Sequence, residues 1–349
     1  MNYIDNRTPN IRDIQSVYSN DISEFICGIA DIPELQRIAS VSKNDGTELS
    51  NFNTFQYRYS RLDHSFNVAT ILEHFGAKKI NIIEAMLHEM AKPSFSFSEK
   101  YLKSYFKMTD FVTPSLFDKL VASEGMFNKI SKGEISVNDI TGFKGYSLGF
   151  ANYPKLSADT LEYVLSNGYF TKICELREIE DLYNNVIILK NENGEDEFGF
   201  LDFADAKKFF KLSIEVGKKK RSYEAKITKQ LISDVLMLMM RREEIDLIDL
   251  YKFSDKAIME IGKNCSDKRI KEGWQMIENL DTVYTKFNPT ENPEKYCVKV
   301  NERSIYVDPL VKTKAGNFRL SSIDASCEKE IEIYKESDTD LYMYIDYEL

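Results

Sequence analysis

Histidine occurs three times in these 349 residues, and His64, His74 and His88 all fall within one short stretch. Glu89 follows His88 directly, and a further acid, Asp159, stands in LSADTLEYVL. Divalent metals bind through neutral imidazole and carboxylate. A His, His, carboxylate, carboxylate set suits Mn, Fe, Ni, Zn or, less well, Mg. Such a set leaves positions open for water and phosphate oxygens, where the ion lowers the pKa of water and neutralises phosphate charge. His64, His88, Glu89 and Asp159 are therefore the candidate metal ligands. Each also has a bland reading. His64 could be a core histidine satisfied by one hydrogen bond. His88 stands four residues after Glu84, the spacing of a surface i, i+4 pair. Asp159 and Glu162 have the spacing of a capping box with Asp159 as N-cap.

Helices would have to position these groups. From His64, apolar residues recur at Val68, Ile71, Leu72 and Phe75, a helical stripe with His64 on it and His74 off it, at the surface. Ile80 to Met90 is apolar nearly all round and reads as a buried helix stopped by Pro93. Further helices are predicted over Glu99 to Phe106, Pro114 to Val121, Asp159 to Ser166, Ile173 to Leu182, Asp255 to Gly262 and Asp267 to Leu280. A long one runs from about Phe203 to Arg241, with Gly217 as a candidate bend. NVIILKNENGEDEFGFLDF reads as a hairpin turning at Asn193-Gly194. KYCVKVNERSIYVDPL alternates in polarity, and β character returns in DLYMYIDY.

Composition bounds the rest. With 43% hydrophobic and 29% charged residues, 22 Phe and 20 Tyr, the chain has ordinary globular make-up and ample core material. A formal net charge of −10 repels nucleic acid and anionic membranes unless a local basic pocket or a metal intervenes. The five cysteines are odd in number and lack a Cys-x-x-Cys pair, which argues against a disulfide framework. The opening MNYIDNRTPNIRDIQ does not read as a signal peptide, and DVLMLMM is too short an apolar run to span a bilayer. No membrane partner and a cytoplasmic location are expected.

The stretch YSRLDHSFNVATIL through IIEAMLHEMAKPSFSFSEKYL resembles the HD-domain phosphohydrolases, and looks closest to their deoxynucleoside-triphosphate triphosphohydrolase branch. Arg61-Leu62-Asp63-His64-Ser65 is similar to that family's Arg-Phe-Glu-His-Ser. His88-Glu89 stands where the family has His-Asp, and Asp159-Thr160-Leu161-Glu162-Tyr163 where it has Asp-x-x-Asp-Tyr. IPELQRIASVS, KKKRSYEAKITKQLISDVLMLMM and YVDPLV with FRLSSID extend the likeness over roughly residues 30 to 345. The resemblance implies a mainly α fold, an HD-domain helical core with a β-hairpin and a small α/β C-terminal portion; the composition change after residue 290 divides the chain as 1–290 and 291–349. The resemblance also implies one divalent metal, a nucleotide as substrate and a homo-oligomer.

The departures fall in the acid/base shell. Two histidines that follow the family's second metal histidine are Lys92 and Phe97 here, and a third, in Tyr-x-His-Lys, is Ala225. The family's Gln-Leu-Gly becomes Lys43-Asn44-Asp45. Under the resemblance Arg61, Lys92 and Lys226 would clamp phosphates, Tyr163 and Tyr223 would line the pocket, and Lys92 and Glu89 would stand at the reacting centre. Lysine anchors phosphate well but is a poor proton shuttle at neutral pH. The basic run Lys218 to Arg221 is either a solvated helix face or a contact for triphosphate or nucleic-acid phosphate. Two functions stay open: a slow or redirected metal-dependent nucleotide phosphohydrolase, and a non-catalytic relative that binds nucleotide or nucleic acid or serves as a structural subunit.

Overall fold

Ser60 starts the helix that organises the molecule. Its side chain accepts the Asp63 N–H at 3.0 Å, and the Asp63 carboxylate accepts the Ser60 N–H at 2.9 Å, a reciprocal cap on the Arg61–His74 helix. The computed structural model describes residues 3, 7–52, 58–108, 123–140, 145–289, 295–337 and 341–345. Every residue from Arg61 to Leu72 is buried, because other helices pack round the whole circumference. Lys79–Leu87 and Ala158–Phe170 lie against it, with Pro9–Tyr18 and Glu24–Ala30 beside them. Phe66, Ile71, Leu72, Ile83, Leu161 and Phe170 belong to this first apolar core. A second core gathers around the Tyr223–Arg241 helix, where Leu231, Ile232 and Val235 meet Phe95, Ile258 and the fully buried Trp274.

The chain is mainly α, as expected, and several of its helices start at residues whose side chains cap them. The Ala158–Phe170 helix is capped by Ser157, whose side chain accepts from the Thr160 N–H, so Asp159 lies in the first turn and is not the N-cap. The expected long helix is two: Phe203–Lys220 and Tyr223–Arg241. The break comes at Arg221-Ser222, where Ser222 accepts the Ala225 N–H at 3.2 Å and caps the second helix. Gly217 stays helical, and a side chain there would strike Tyr334 and the Ile305 carbonyl. The buried helix at 79–87 ends with His88 as its C-cap, ahead of Pro93. Helices at Ser96–Tyr105, Leu176–Asn184, Asp255–Asn264 and Lys268–Asn279 match the expected ones within a few residues. The helix expected over 114–121 lies outside the described residues.

Strands β1 (Val186–Lys190) and β2 (Asp196–Phe200) form the expected antiparallel hairpin. Its loop is held by Asn191, whose side-chain oxygen accepts the N–H groups of Asn193 and Glu195, while Gly194 supplies a φ of 77°. Strands β3 (Tyr284–Lys286), β4 (Cys297–Val298), β5 (Leu310–Thr313), β6 (Gly316–Arg319) and β7 (Tyr342–Tyr344) complete two sheets, of order β1-β2-β5-β6 and β3-β7-β4. The β2–β5 pair is parallel, and no side chain fits at Gly199, where a Cβ would lie 2.7 Å from the Leu310 carbonyl oxygen. Pairing thus crosses position 290 twice, through β2–β5 and β3–β7. All five cysteines are free thiols. Among the described residues no helix is long and apolar enough to cross a membrane.

Candidate metal centre

Three helices deliver the imidazoles and carboxylates to one place. His64 projects from the first turn of Arg61–His74 and is fully buried. Its Nδ1 faces one oxygen of the Glu162 carboxylate, and the other oxygen accepts from the Tyr59 hydroxyl, from Ser166 at 2.5 Å and from Asn67 at 3.3 Å. A carboxylate so loaded with donors is held rigid and favours a proton on His64 Nδ1. His88 closes the Lys79–Leu87 helix, and its Nδ1 donates to the Ala85 carbonyl at 2.6 Å. A carbonyl can only accept, so the proton sits on Nδ1 here too. In the neutral form each ring then presents its Nε2 lone pair inward, the arrangement of a ligating histidine.

The two Nε2 atoms share Asp159. Its Oδ1 lies 3.0 Å from His64 Nε2 and 3.4 Å from His88 Nε2. Glu89 Oε1 lies 3.7 Å from His88 Nε2, and the rings stand 5.2 Å apart at 64°. His64, His88 and Glu89 each offer one ligand atom within 4.8 Å of the others, so this group could hold a metal ion. The donor set fits a borderline cation: two oriented imidazoles with carboxylates around them. The charges agree. Burial and Lys43 act against an imidazolium at His64, yet Glu162 and Asp159 outweigh them and raise its pKa. Burial opposes the charge on Asp159 as well, but hydrogen bonds to His64 and His88 hold its carboxyl far below the usual range.

The structure places His64, His88, Glu89, Asp159 and Arg61 together, and sets a ring of charges around Glu89 that spacing did not indicate. Lys43 bonds Glu89 Oε1, and Arg61 Nη1 bonds Oε2. Arg61 Nη2 also reaches Ser96 Oγ at 2.6 Å and Asp45 Oδ1 at 3.2 Å, while Lys220 lies 3.7 Å from Asp45 Oδ2. Burial works against ionised Glu89, but Lys43 and Arg61 hold its carboxyl well below the usual range. Asp45 is likewise lowered, with Lys220 and Arg61 overcoming burial. Glu162, read from the sequence as a capping partner, is the residue that orients His64. The signal for Lys43 and Asp45 was their charge in a segment where the resemblance calls for neutral residues.

The remaining candidates are more scattered. Lys92 is exposed, and its carbonyl accepts from Arg37. Tyr163 and Tyr223 are half-buried and Lys226 is buried. Burial raises the Tyr163 hydroxyl pKa despite the opposing charge of Lys220. The basic run splits by direction. Lys218 and Lys219 face solvent, Lys220 turns towards Asp45, and buried Arg221 stacks 4.9 Å over the Tyr334 ring. A cleft of about 580 Å³ opens beside Asp45, lined by Phe97, Lys100, Lys220, Lys229 and Arg303 among others. Lys229 lies 5.0 Å from the Phe97 ring and pairs with Glu302.

Two solved structures share this architecture. A hypothetical protein from Aquifex aeolicus is 13% identical, with a TM-score of 0.63 over 93% of each chain. A phosphohydrolase from Bacteroides thetaiotaomicron VPI-5482 is 11% identical, with a TM-score of 0.60 over 92% of this chain and 94% of its own. Likeness at these identities concerns the fold alone. No protein-family model and no curated protein matches the sequence.

Proposed function

We propose that this protein is a phosphohydrolase that binds one divalent metal at His64, His88 and Asp159, with Glu89 adjoining, and takes a nucleotide as its substrate. The observation that carries the reading is the convergence of two Nε2 atoms on Asp159 Oδ1, at 3.0 and 3.4 Å, with both Nδ1 atoms tied to acceptors. A bound ion would neutralise phosphate charge and act as a Lewis acid. The protein's own residues do the rest. Glu162 locks the His64 ring. Arg61 fixes Glu89 and Asp45 relative to the histidines. Lys100, Lys220, Lys229 and Arg303 outnumber Asp45 and Glu302 in the cleft lining, which gives a predominantly acidic protein a locally cationic cleft that suits a polyphosphate. Phe97 offers an aromatic surface in the same cleft. The sequence resemblance points to a deoxynucleoside triphosphate within that class.

The test is metal analysis of the purified protein followed by a nucleotide panel with Mn²⁺. About one metal per chain is expected, with hydrolysis that disappears in His64→Ala and Asp159→Ala. A protein that takes up no metal and melts at the same temperature with and without Mn²⁺ would refute the reading.

One observation favours a second reading, nucleotide binding without turnover. Positions 92, 97 and 225, where the resembled family has imidazoles, carry an exposed lysine, a phenylalanine and a buried alanine. Loss of one general acid lowers rates about 100- to 10,000-fold. A nucleotide-induced thermal shift with no product would select this reading over the first.

A further inference from the structure

We infer that Lys43 is a built-in competitor for the ion site: its ammonium is seated on Glu89 Oε1, and a metal can recruit that oxygen only by displacing it. The inference rests on the reading that the histidine cluster takes a metal, and adds a residue that regulates its occupancy. Glu89 Oε1 is the oxygen that faces His88 Nε2, and it is the one Lys43 holds. The other oxygen is committed to Arg61. Both carboxylate oxygens are thus neutralised by side chains, and a divalent ion bound there would meet the positive charges of Lys43 and Arg61. Because the pair is secluded, with side-chain exposures of 13% for Lys43 and 6% for Glu89, solvent screens that repulsion poorly.

The position of Lys43 is built. Its N–H donates to the Tyr59 carbonyl at 2.9 Å, and the Val41 carbonyl accepts the Arg61 N–H at 2.9 Å, which ties the segment to the start of the His64 helix. Ser42 on one side donates its N–H to Asp255 at 2.6 Å. On the other side Asp45 and Gly46 have φ of 56° and 83°, a left-handed turn that carries the chain away. A Cβ on Gly46 would lie 2.8 Å from Phe95 and 2.9 Å from Ile232, so the turn is clamped by the second core. The backbone that carries this ammonium is therefore not free to wander as a surface loop would be.

The experiment titrates Mn²⁺ alone, by calorimetry, into the full chain freed of metal by chelation, and into Lys43→Gln and Lys43→Arg. Melting temperatures without metal establish that each variant folds. Lys43→Gln should bind Mn²⁺ roughly tenfold or more tightly than the natural chain, whereas Lys43→Arg, which keeps the charge, should show no gain. On the natural chain, Mn²⁺ should make Lys43 more reactive towards reductive methylation, read by peptide mass; this measurement decides the matter if the glutamine variant does not fold. Equal Mn²⁺ affinity in the natural chain and Lys43→Gln, with unchanged methylation, would overturn the inference and leave the metal reading standing. Absence of binding in all three folded proteins would overturn both.

Discussion

Asp255 carries a charge that its surroundings oppose, and replacing it with Asn measures by how much. The residue is 7% exposed at the start of the Asp255–Asn264 helix. Its Oδ2 accepts the Ser42 N–H, while buried Oδ1 has no hydrogen-bond partner among the described residues. Burial pushes its carboxyl up to about 6, with the Ser42 amide pulling the other way and the Glu48 carboxylate adding to the rise. An unfolded aspartate titrates near ~3.9. Between these values the folded state binds more protons than the unfolded one, so stability falls as pH rises. The contribution is fully present below the unfolded value and is lost as pH climbs through the folded one. A gap of about two pH units corresponds to about 3 kcal/mol, and local relaxation reduces it, giving about 1–3 kcal/mol. Asp255→Asn keeps an acceptor for Ser42 and removes the charge. Urea unfolding at about pH 7.5 should show the variant more stable by that amount, with the advantage shrinking towards about pH 4.5. A variant that is no more stable at the higher pH, or one whose advantage is the same at both, would refute the reasoning.

Glu162→Gln should weaken Mn²⁺ binding about 10- to 100-fold, because the amide no longer fixes the His64 ring as a carboxylate does; calorimetry gives the ratio. Gly46→Ala should cost roughly 2–4 kcal/mol by denaturant melts, combining a left-handed backbone with overpacking against Phe95 and Ile232. Lys220→Gln should lower nucleotide affinity roughly tenfold, as the loss of a charge-assisted phosphate contact, while Arg61 keeps Asp45 paired. An unchanged dissociation constant would remove Lys220 from the phosphate cleft.

The site was legible where one residue type can do one job. Imidazole is scarce here, so His64 and His88 stood out, and their order relative to Asp159 survived folding. Glu162 was misjudged because a capping box and a buried orienting carboxylate share the same i, i+3 spacing. Only the true cap, Ser157, frees Asp159 to face the histidines. Glu84 and His88 have the spacing of a surface pair, yet Glu84 is buried, which a helix hydrophobic all round should have suggested. The division of the 203–241 helix turns on Ser222, whose capping signal is local, whereas at Gly217 the missing side chain serves packing. Lys43 could not be placed from the sequence: its meeting with Glu89 depends on how two distant segments dock, which spacing does not encode.

The parallel seam between β2 and β5 also bears on how the protein is made. Until the segment at 310–313 has left the ribosome, the outer side of β2 offers unpaired N–H and C=O groups with no strand to receive them. The contact joins residues separated by more than a hundred positions, the sort of non-local closure that slows folding. A nascent chain therefore carries a sticky margin through much of its synthesis, and a chaperone that shields it would raise yield without touching the finished molecule.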